Sequence, residues 1–287
     1  MAVCLVTGGT GSFGQAFVRR VLSLGWTVRV FSRDEFKQGV MRDELGEDQR
    51  QGTRFLVGDV RDAARLRRGA EGVDVVVHAA ALKQVPSCEY NPDEAVKTNV
   101  LGSMNVVEAC LEAGVPRAVL LSSDKAVHPV NVYGATKLCA EKVWLASNAL
   151  GDCRFAAVRY GNVRGSRGSV LEKTGPVAIT DRRATRFWMD VSDAVELVLS
   201  ALGEMRGGEV FVPKLGSRRV VDVLRGADSG HETGLRRGEK LHERLLSDEE
   251  LPRTWDCGDH YRVCDYEPEG SLRVPEEFRY SSEVSAA

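Results

Sequence analysis

The chain has 287 residues, 43% hydrophobic and 28% charged, with 29 Gly and 9 Pro. That excludes a disordered or fibrous chain and leaves room for one large or two modest domains. Its 39 Lys and Arg nearly cancel 41 Asp and Glu, so a net charge of −2 gives no general attraction to nucleic acid or an acidic membrane, and seven scattered cysteines lack the pairing of a zinc site or disulfide framework.

The first apolar run, residues 3–6, stops at Thr7-Gly8-Gly9, far short of the roughly 20 residues a membrane span needs, so the chain reads as soluble and cytoplasmic. Strands are expected over residues 2–7, 27–32, 53–57, 73–78 and 118–122. They alternate with amphipathic stretches, the pattern of a parallel sheet with crossover helices. The first helix carries Phe13, Ala16, Phe17, Val21 and Leu24 on one face and stops at Gly25. A single helix over residues 92–113 presents Ala95, Thr98, Asn99, Gly102, Val106 and Cys110, small side chains suited to close packing, before Gly114. Further elements are a helix over 133–149, a strand over 156–160, a helix over 191–202 and a strand over 208–213. Residues 161–185 and 214–287 show little periodicity. The expected fold is doubly wound α/β, with a nucleotide-binding domain over residues 1–163, to which 186–213 return. A smaller interleaved substrate region would come from 164–185 and 214–287.

Between the first strand and first helix stands Thr7-Gly8-Gly9-Thr10-Gly11-Ser12-Phe13-Gly14. Glycines here permit a tight turn and let backbone N–H groups and a helix N-terminus approach a pyrophosphate. The second strand ends in Ser32-Arg33, without the terminal acid that would hold a ribose 2′-hydroxyl. A hydroxyl and a guanidinium suit a 2′-phosphate, hence NADP, while Asp34 next door keeps NAD open. Asp59-Val60, after the third strand, is placed to meet an adenine or to make an ordinary turn.

Tyr133 and Lys137 stand four residues apart, on one helix face. A nearby ammonium lowers a phenol's pKa from about 10 towards neutrality, as a base acting on a sugar hydroxyl requires. By itself such a pair is as well a surface feature; here Ser122-Ser123 ends the preceding strand, downstream of the glycine turn.

The glycine turn, Ser122-Ser123 and Tyr133/Lys137 resemble the extended short-chain dehydrogenase/reductase superfamily, which implies a Rossmann fold. Several stretches are closely similar to the UDP-N-acetylglucosamine 4,6-dehydratases that invert C5: residues 78–86, Glu89-Tyr90-Asn91-Pro92, Asp124-Lys125-Ala126-Val127, residues 159–163, 165–169, Thr185-Arg186-Phe187-Trp188 and residues 238–243. The match runs over residues 2–250. It implies that Tyr133, beside Lys137, takes the C4 hydroxyl proton as C4 is oxidised. Lys125 would then remove the C5 proton while Asp124 protonates the departing 6-hydroxyl. Reduction at C6 and reprotonation of C5 from the opposite face would give a UDP-2-acetamido-2,6-dideoxy-4-keto sugar. Lysine is a base only when neutral, and burial, Lys137 and a positive nicotinamide would each lower the Lys125 pKa from about 10.4.

The resemblance also implies that Ala79, Ala80, Ala81, Lys83, Asn99 and Ser122 meet the cofactor, and that Lys83, Ser123, Asn162, Arg167, Arg186, Arg236 and Glu239 meet the UDP-hexosamine, arginines on its pyrophosphate. Asn99 is equally a packing amide, and Lys83 and Glu89 equally solvated charges; no metal is implied. Residues 170–178 and 219–233 are shorter than their counterparts in the family, where they cover the sugar and build oligomer contacts; a homo-oligomer is expected. A 4-epimerase or a 5,6-dehydratase of antibiotic biosynthesis remains open, as does a non-catalytic cofactor sensor, which would have lost the acid–base residues that this chain keeps.

Overall fold

The computed structural model describes residues 2–166, 179–224 and 232–283. The strands are β1 (Val3–Thr7), β2 (Thr27–Ser32), β3 (Thr53–Val57), β4 (Val75–His78), β5 (Arg117–Leu121), β6 (Arg154–Val158), β7 (Asn162–Val163), β8 (Thr185–Met189), β9 (Val210–Pro213), β10 (Ser217–Arg219), β11 (Thr254–Asp256), β12 (His260–Val263) and β13 (Leu272–Arg273). The helices are α1 (Ser12–Ser23), α2 (Glu35–Glu44), α3 (Glu47–Gln51), α4 (Ala63–Ala70), α5 (Val85–Tyr90), α6 (Pro92–Val96), α7 (Gly102–Glu112), α8 (Val132–Ala146), α9 (Val191–Glu204) and α10 (Val220–Val223).

Ten strands form one sheet in the order β13-β11-β12-β9-β6-β5-β4-β1-β2-β3, parallel from β3 to β9. Both faces are covered, and the alternation within β1 shows it. Leu5 joins the core under Trp144 and Phe155, whereas Cys4 and Val6 join the one under Phe17 and Val198. The strand order reverses between β1 and β4, and a crevice opens there at the carboxyl ends of the strands, where open α/β sheets bind ligands.

Two expectations are corrected. The helix over 92–113 is interrupted, because Lys97–Leu101 forms a π-helical turn between α6 and α7. That turn carries Asn99, whose amide is spent on the Leu82 backbone, 2.8 Å and 2.9 Å, and on Thr136 Oγ1, 3.0 Å. Residues 214–287, where the sequence shows little periodicity and no strand is expected, do contain strands among their described residues. β12 pairs antiparallel with β9, and β11 and β13 follow it, extending the main sheet by three strands. These segments are two to four residues long, too short to leave an alternation legible in the sequence. β8 pairs with β7 and β10 in a separate three-stranded sheet over the crevice.

Candidate active site

The crevice encloses about 790 Å³ and runs from the glycine turn to residues 236–243. At one end the chain leaves β1 through Gly8, which has φ +70°. A Cβ there would stand 2.8 Å from Ala80 N and 2.9 Å from Ala79 C, and one on Gly14 would stand 2.6 Å from Gly8 O. Backbone therefore packs where any side chain would fill the cradle. Gly11, the N-cap of α1, offers its first turn no side chain, and no acid stands in that turn. The first-turn backbone, which no side-chain cap from Gly11 covers, and the positive end of a 12-residue helix thus line the crevice, a setting that fits a pyrophosphate.

At the end of β2, Ser32 Oγ accepts from Gln38 Nε2 at 2.9 Å, and Gln38 ties β2 to β3 through Leu56 O, 2.9 Å. Asp34 is spent as the N-cap of α2, accepting from Lys37 N at 3.0 Å and pairing with Lys37 Nζ at 2.5 Å. These contacts hold its carboxyl below the ordinary range. Arg33 and Lys37 both line the crevice; the sequence reading had not singled out Lys37. Asp59 lines it too, but its carboxylate folds back on Arg61 N and side chain, 3.0 Å and 2.7 Å. Val60 stands beside it.

The candidate acid–base cluster is built by three local devices. Ser123 Oγ accepts from Lys125 N at 3.2 Å and donates to Asp124 Oδ1 at 2.9 Å, so it caps the turn Asp124–Ala126. Asn131 caps α8, accepting from Gly134 N at 2.7 Å, while Glu89 accepts from Val132 N at 2.6 Å. This presents Tyr133 and Lys137 to the crevice alongside Ser122, Ser123 and Lys125. Asn99 does not line the crevice; its amide holds Leu82 and Thr136, the neighbour of Lys137. Ser122 Oγ turns away to Glu141.

The electrostatics differ from the sequence expectation at both lysines and at the phenol. Burial works to lower the Lys125 pKa, yet Asp124 and Glu243 together hold it above its ordinary value. Its Nζ lies 3.1 Å from Asp124 Oδ1, 3.4 Å from Asn162 Oδ1 and 3.7 Å from Glu243 Oε1. Burial raises the Tyr133 phenol; the cation acting against burial is Lys125, not Lys137. Lys137 is pushed down to about 8 by burial, with Glu141 opposing. His78, on β4, is held neutral to about 3 by burial and then by Lys137. It bridges Thr7 Oγ1, 2.6 Å, and Ser103 Oγ, 3.0 Å.

Of the residues expected at the substrate, Lys83, Asn162, Arg186, Arg236 and Glu239 all line the crevice, as do Ala79, Ala80 and Ala81. Arg186 is buried and largely spent. It donates to the carbonyls of Thr185, Leu241 and Lys240 at 2.7–2.9 Å, so it ties β8 to residues 240–241. Arg236, exposed, pairs with Glu239 at 3.2 Å, and Glu239 also accepts from Thr180 Oγ1 at 3.0 Å. Arg167 lies outside the described residues, as does the short segment 170–178. Glu243 lies in the stretch 238–243, and nothing local in the sequence marks it as a partner of Lys125. Among the described residues there is no cluster able to hold a metal and no helix long and apolar enough to cross a membrane.

The polysaccharide biosynthesis protein family model matches residues 4–265. A UDP-N-acetylglucosamine 4,6-dehydratase (inverting) of Campylobacter jejuni subsp. jejuni is 42% identical over 275 residues, 90% of this chain and 81% of that protein. A protein named UDP-glucose 4-epimerase, from Rickettsia conorii, is also 42% identical, over 282 residues, 90% of this chain and 82% of that one. Among solved structures, Pen from Bacillus thuringiensis aligns with a TM-score of 0.91 at 33% identity, covering 99% of this chain and 93% of that one. With the glycine turn, the Tyr133/Lys137 pair and the Asp124-Lys125 turn gathered in one crevice of a doubly wound sheet, the chain belongs to the polysaccharide biosynthesis protein family, within the extended short-chain dehydrogenases/reductases.

Proposed function

We propose that the protein is a UDP-N-acetylglucosamine 4,6-dehydratase that inverts C5 and works with NADP. The observation that carries the reading is the Asp124–Lys125 contact, Nζ to Oδ1 at 3.1 Å, in the crevice that also holds Tyr133 and Lys137. A 4-epimerase needs a base for one hydroxyl; an adjoining carboxyl and amine supply the further acid and base that loss of water requires. When bound, the nicotinamide supplies oxidation at sugar C4 and its reversal at C6. Gly8, Gly11 and Gly14 would hold the pyrophosphate, and Arg33 with Lys37 a 2′-phosphate, since Asp34 is tied up as a helix cap.

Tyr133 takes the proton of the C4 hydroxyl, with the Lys125 charge and Ser123 easing ionisation against the cost of burial. The 4-ketone acidifies C5–H. A proton passing from Lys125 Nζ to Asp124 Oδ1 turns ammonium and carboxylate into amine and acid, without exchange with solvent. Lys125 then receives the C5 proton and Asp124 gives its proton to the departing 6-hydroxyl, which restores the ion pair. Asn162, 3.4 Å from Lys125 Nζ, holds the amine on the crevice side.

The test is proton NMR of the protein with UDP-N-acetylglucosamine in D₂O. A new C6 methyl signal with deuterium at an inverted C5 is expected. A C4-epimerised sugar that keeps its 6-hydroxyl would instead make the protein an epimerase, the reading favoured by the Rickettsia relative. Bound dinucleotide with no turnover would make it a sensor.

A further inference from the structure

Lys125 is flanked by two buried carboxylates, and the proposed chemistry uses only one of them. Glu243 is 3% exposed and its Oε1 lies 3.7 Å from Lys125 Nζ, on the side away from Asp124 in sequence but facing the same crevice. Its backbone is fixed at both ends by one buried hydroxyl residue. Glu243 N donates to Ser282 Oγ at 2.9 Å, and Ser282 N donates to Glu243 O at 2.8 Å. Arg186 ties the preceding carbonyls of Lys240 and Leu241 to β8. Glu243 Oε2 accepts no hydrogen bond among the described residues; Lys240 Nζ pairs with it at 3.3 Å while donating one proton to Val127 O, 2.6 Å.

A carboxylate buried this deeply and held between the amines of Lys125 and Lys240, with an oxygen that accepts no hydrogen bond, is costly unless its charge is used. We propose that Glu243 is a positioning residue for Lys125: it draws the amine towards the sugar side of the crevice and sets the pH range over which Lys125 and Asp124 share a single proton. The inference rests on the dehydratase reading for its purpose, though not for its geometry. The charged and titratable groups around Lys125 come from every neighbouring element: Asp124 on its own turn, Tyr133 on α8, Arg186 on β8, and Glu243 with Lys240 from the C-terminal segment. Asp124 and Glu243 retain the proton; Arg186 works against them.

The experiment measures how fast acetic anhydride acylates Lys125 in the full chain as a function of pH, by mass spectrometry of its peptide, together with the pH profile of kcat/KM. In Glu243→Gln the labelling midpoint is expected to fall by about one pH unit or more, because an opposite charge within contact has been removed. The alkaline limb of the activity profile should fall with it. Lys240→Met leaves Glu243 uncompensated and should move both the other way; it also keeps the proposal testable if Glu243→Gln does not fold. Glu243→Asp should restore part of the shift. An unmoved midpoint and profile in a folded Glu243→Gln protein overturns the proposal, even if kcat drops, since that drop would be structural. Labelling reads Lys125 directly, so absence of a sugar product would sink the dehydratase reading while leaving this coupling measurable.

Discussion

The α-carbon of Gly134 packs against the carbonyl of Lys125 so closely that a Cβ on Gly134 would lie 2.1 Å from that oxygen. The first turn of α8 and the Asp124–Ala126 turn therefore share one contact that admits no side chain. Because the atom met is backbone, it can yield only by moving the whole turn. Gly134→Ala is expected to destabilise the protein by about 3 kcal/mol and to lower kcat by about 100-fold through displaced acid and base groups. Urea unfolding and turnover check the two effects separately.

The cradle at the other end of the crevice makes a sharper demand on binding than on folding. Gly14→Ala places a Cβ against Gly8 O and Gly9 Cα, both 2.6 Å away, in the turn that would surround a pyrophosphate. Dinucleotide binding, followed by titration calorimetry, is expected to weaken at least tenfold, about 1.4 kcal/mol. An unchanged dissociation constant would place the phosphates elsewhere.

Cofactor choice is expected to follow the charges at the end of β2. Arg33 and Lys37 face the crevice, and Asp34, the residue that would favour NAD, caps α2. Replacing both cations, Arg33→Ala with Lys37→Ala, should weaken NADP binding by at least about tenfold and leave NAD nearly unchanged, since a charge-assisted phosphate contact is worth about 1.5–3 kcal/mol. Parallel titrations with the two dinucleotides decide it; equal losses would show that the cations do not read the 2′-phosphate.

Beneath the site, Arg159 is buried between Glu141, 2.7 Å, and Glu250, 2.9 Å, and so joins α8 to the C-terminal segment. Arg159→Met leaves two carboxylates uncompensated, and a loss of about 3–5 kcal/mol is expected. The acid side follows from the same pair. Burial raises the Glu250 pKa, but Arg159 overrides it and holds it at about 2, below the ordinary 4.5. Its stabilising contribution is present above about 4.5 and lost as pH falls towards 2. His78, held neutral to about 3 from an ordinary 6.5, adds a loss of the same sign as pH falls below 6.5. Melting temperature should therefore fall steadily from pH 6.5 downward, less steeply below 4.5 in Glu250→Gln.

Much of the site was legible before any coordinates because its parts are local. The glycine turn needs eight consecutive residues between a strand and a helix, and Tyr133 and Lys137 share a helix face through spacing alone. Asp124 and Lys125 follow the end of β5 after only Ser122 and Ser123. The C-terminal strands were not legible, since β11 to β13 are two to four residues long and alternate too briefly to be read.

The sequence by itself determined the doubly wound sheet and supplied the glycine turn and the acid–base groups of the proposed mechanism, all properties of short stretches of chain with a fixed period or a fixed turn. Only the tertiary structure decided their charge states. Asp124 and, from the C-terminal segment, Glu243 together override burial at Lys125, whereas Lys137, with Glu141 as its counter-charge, is driven down to about 8. Burial and Coulomb contact depend on distance through space, and no spacing along the chain encodes that distance.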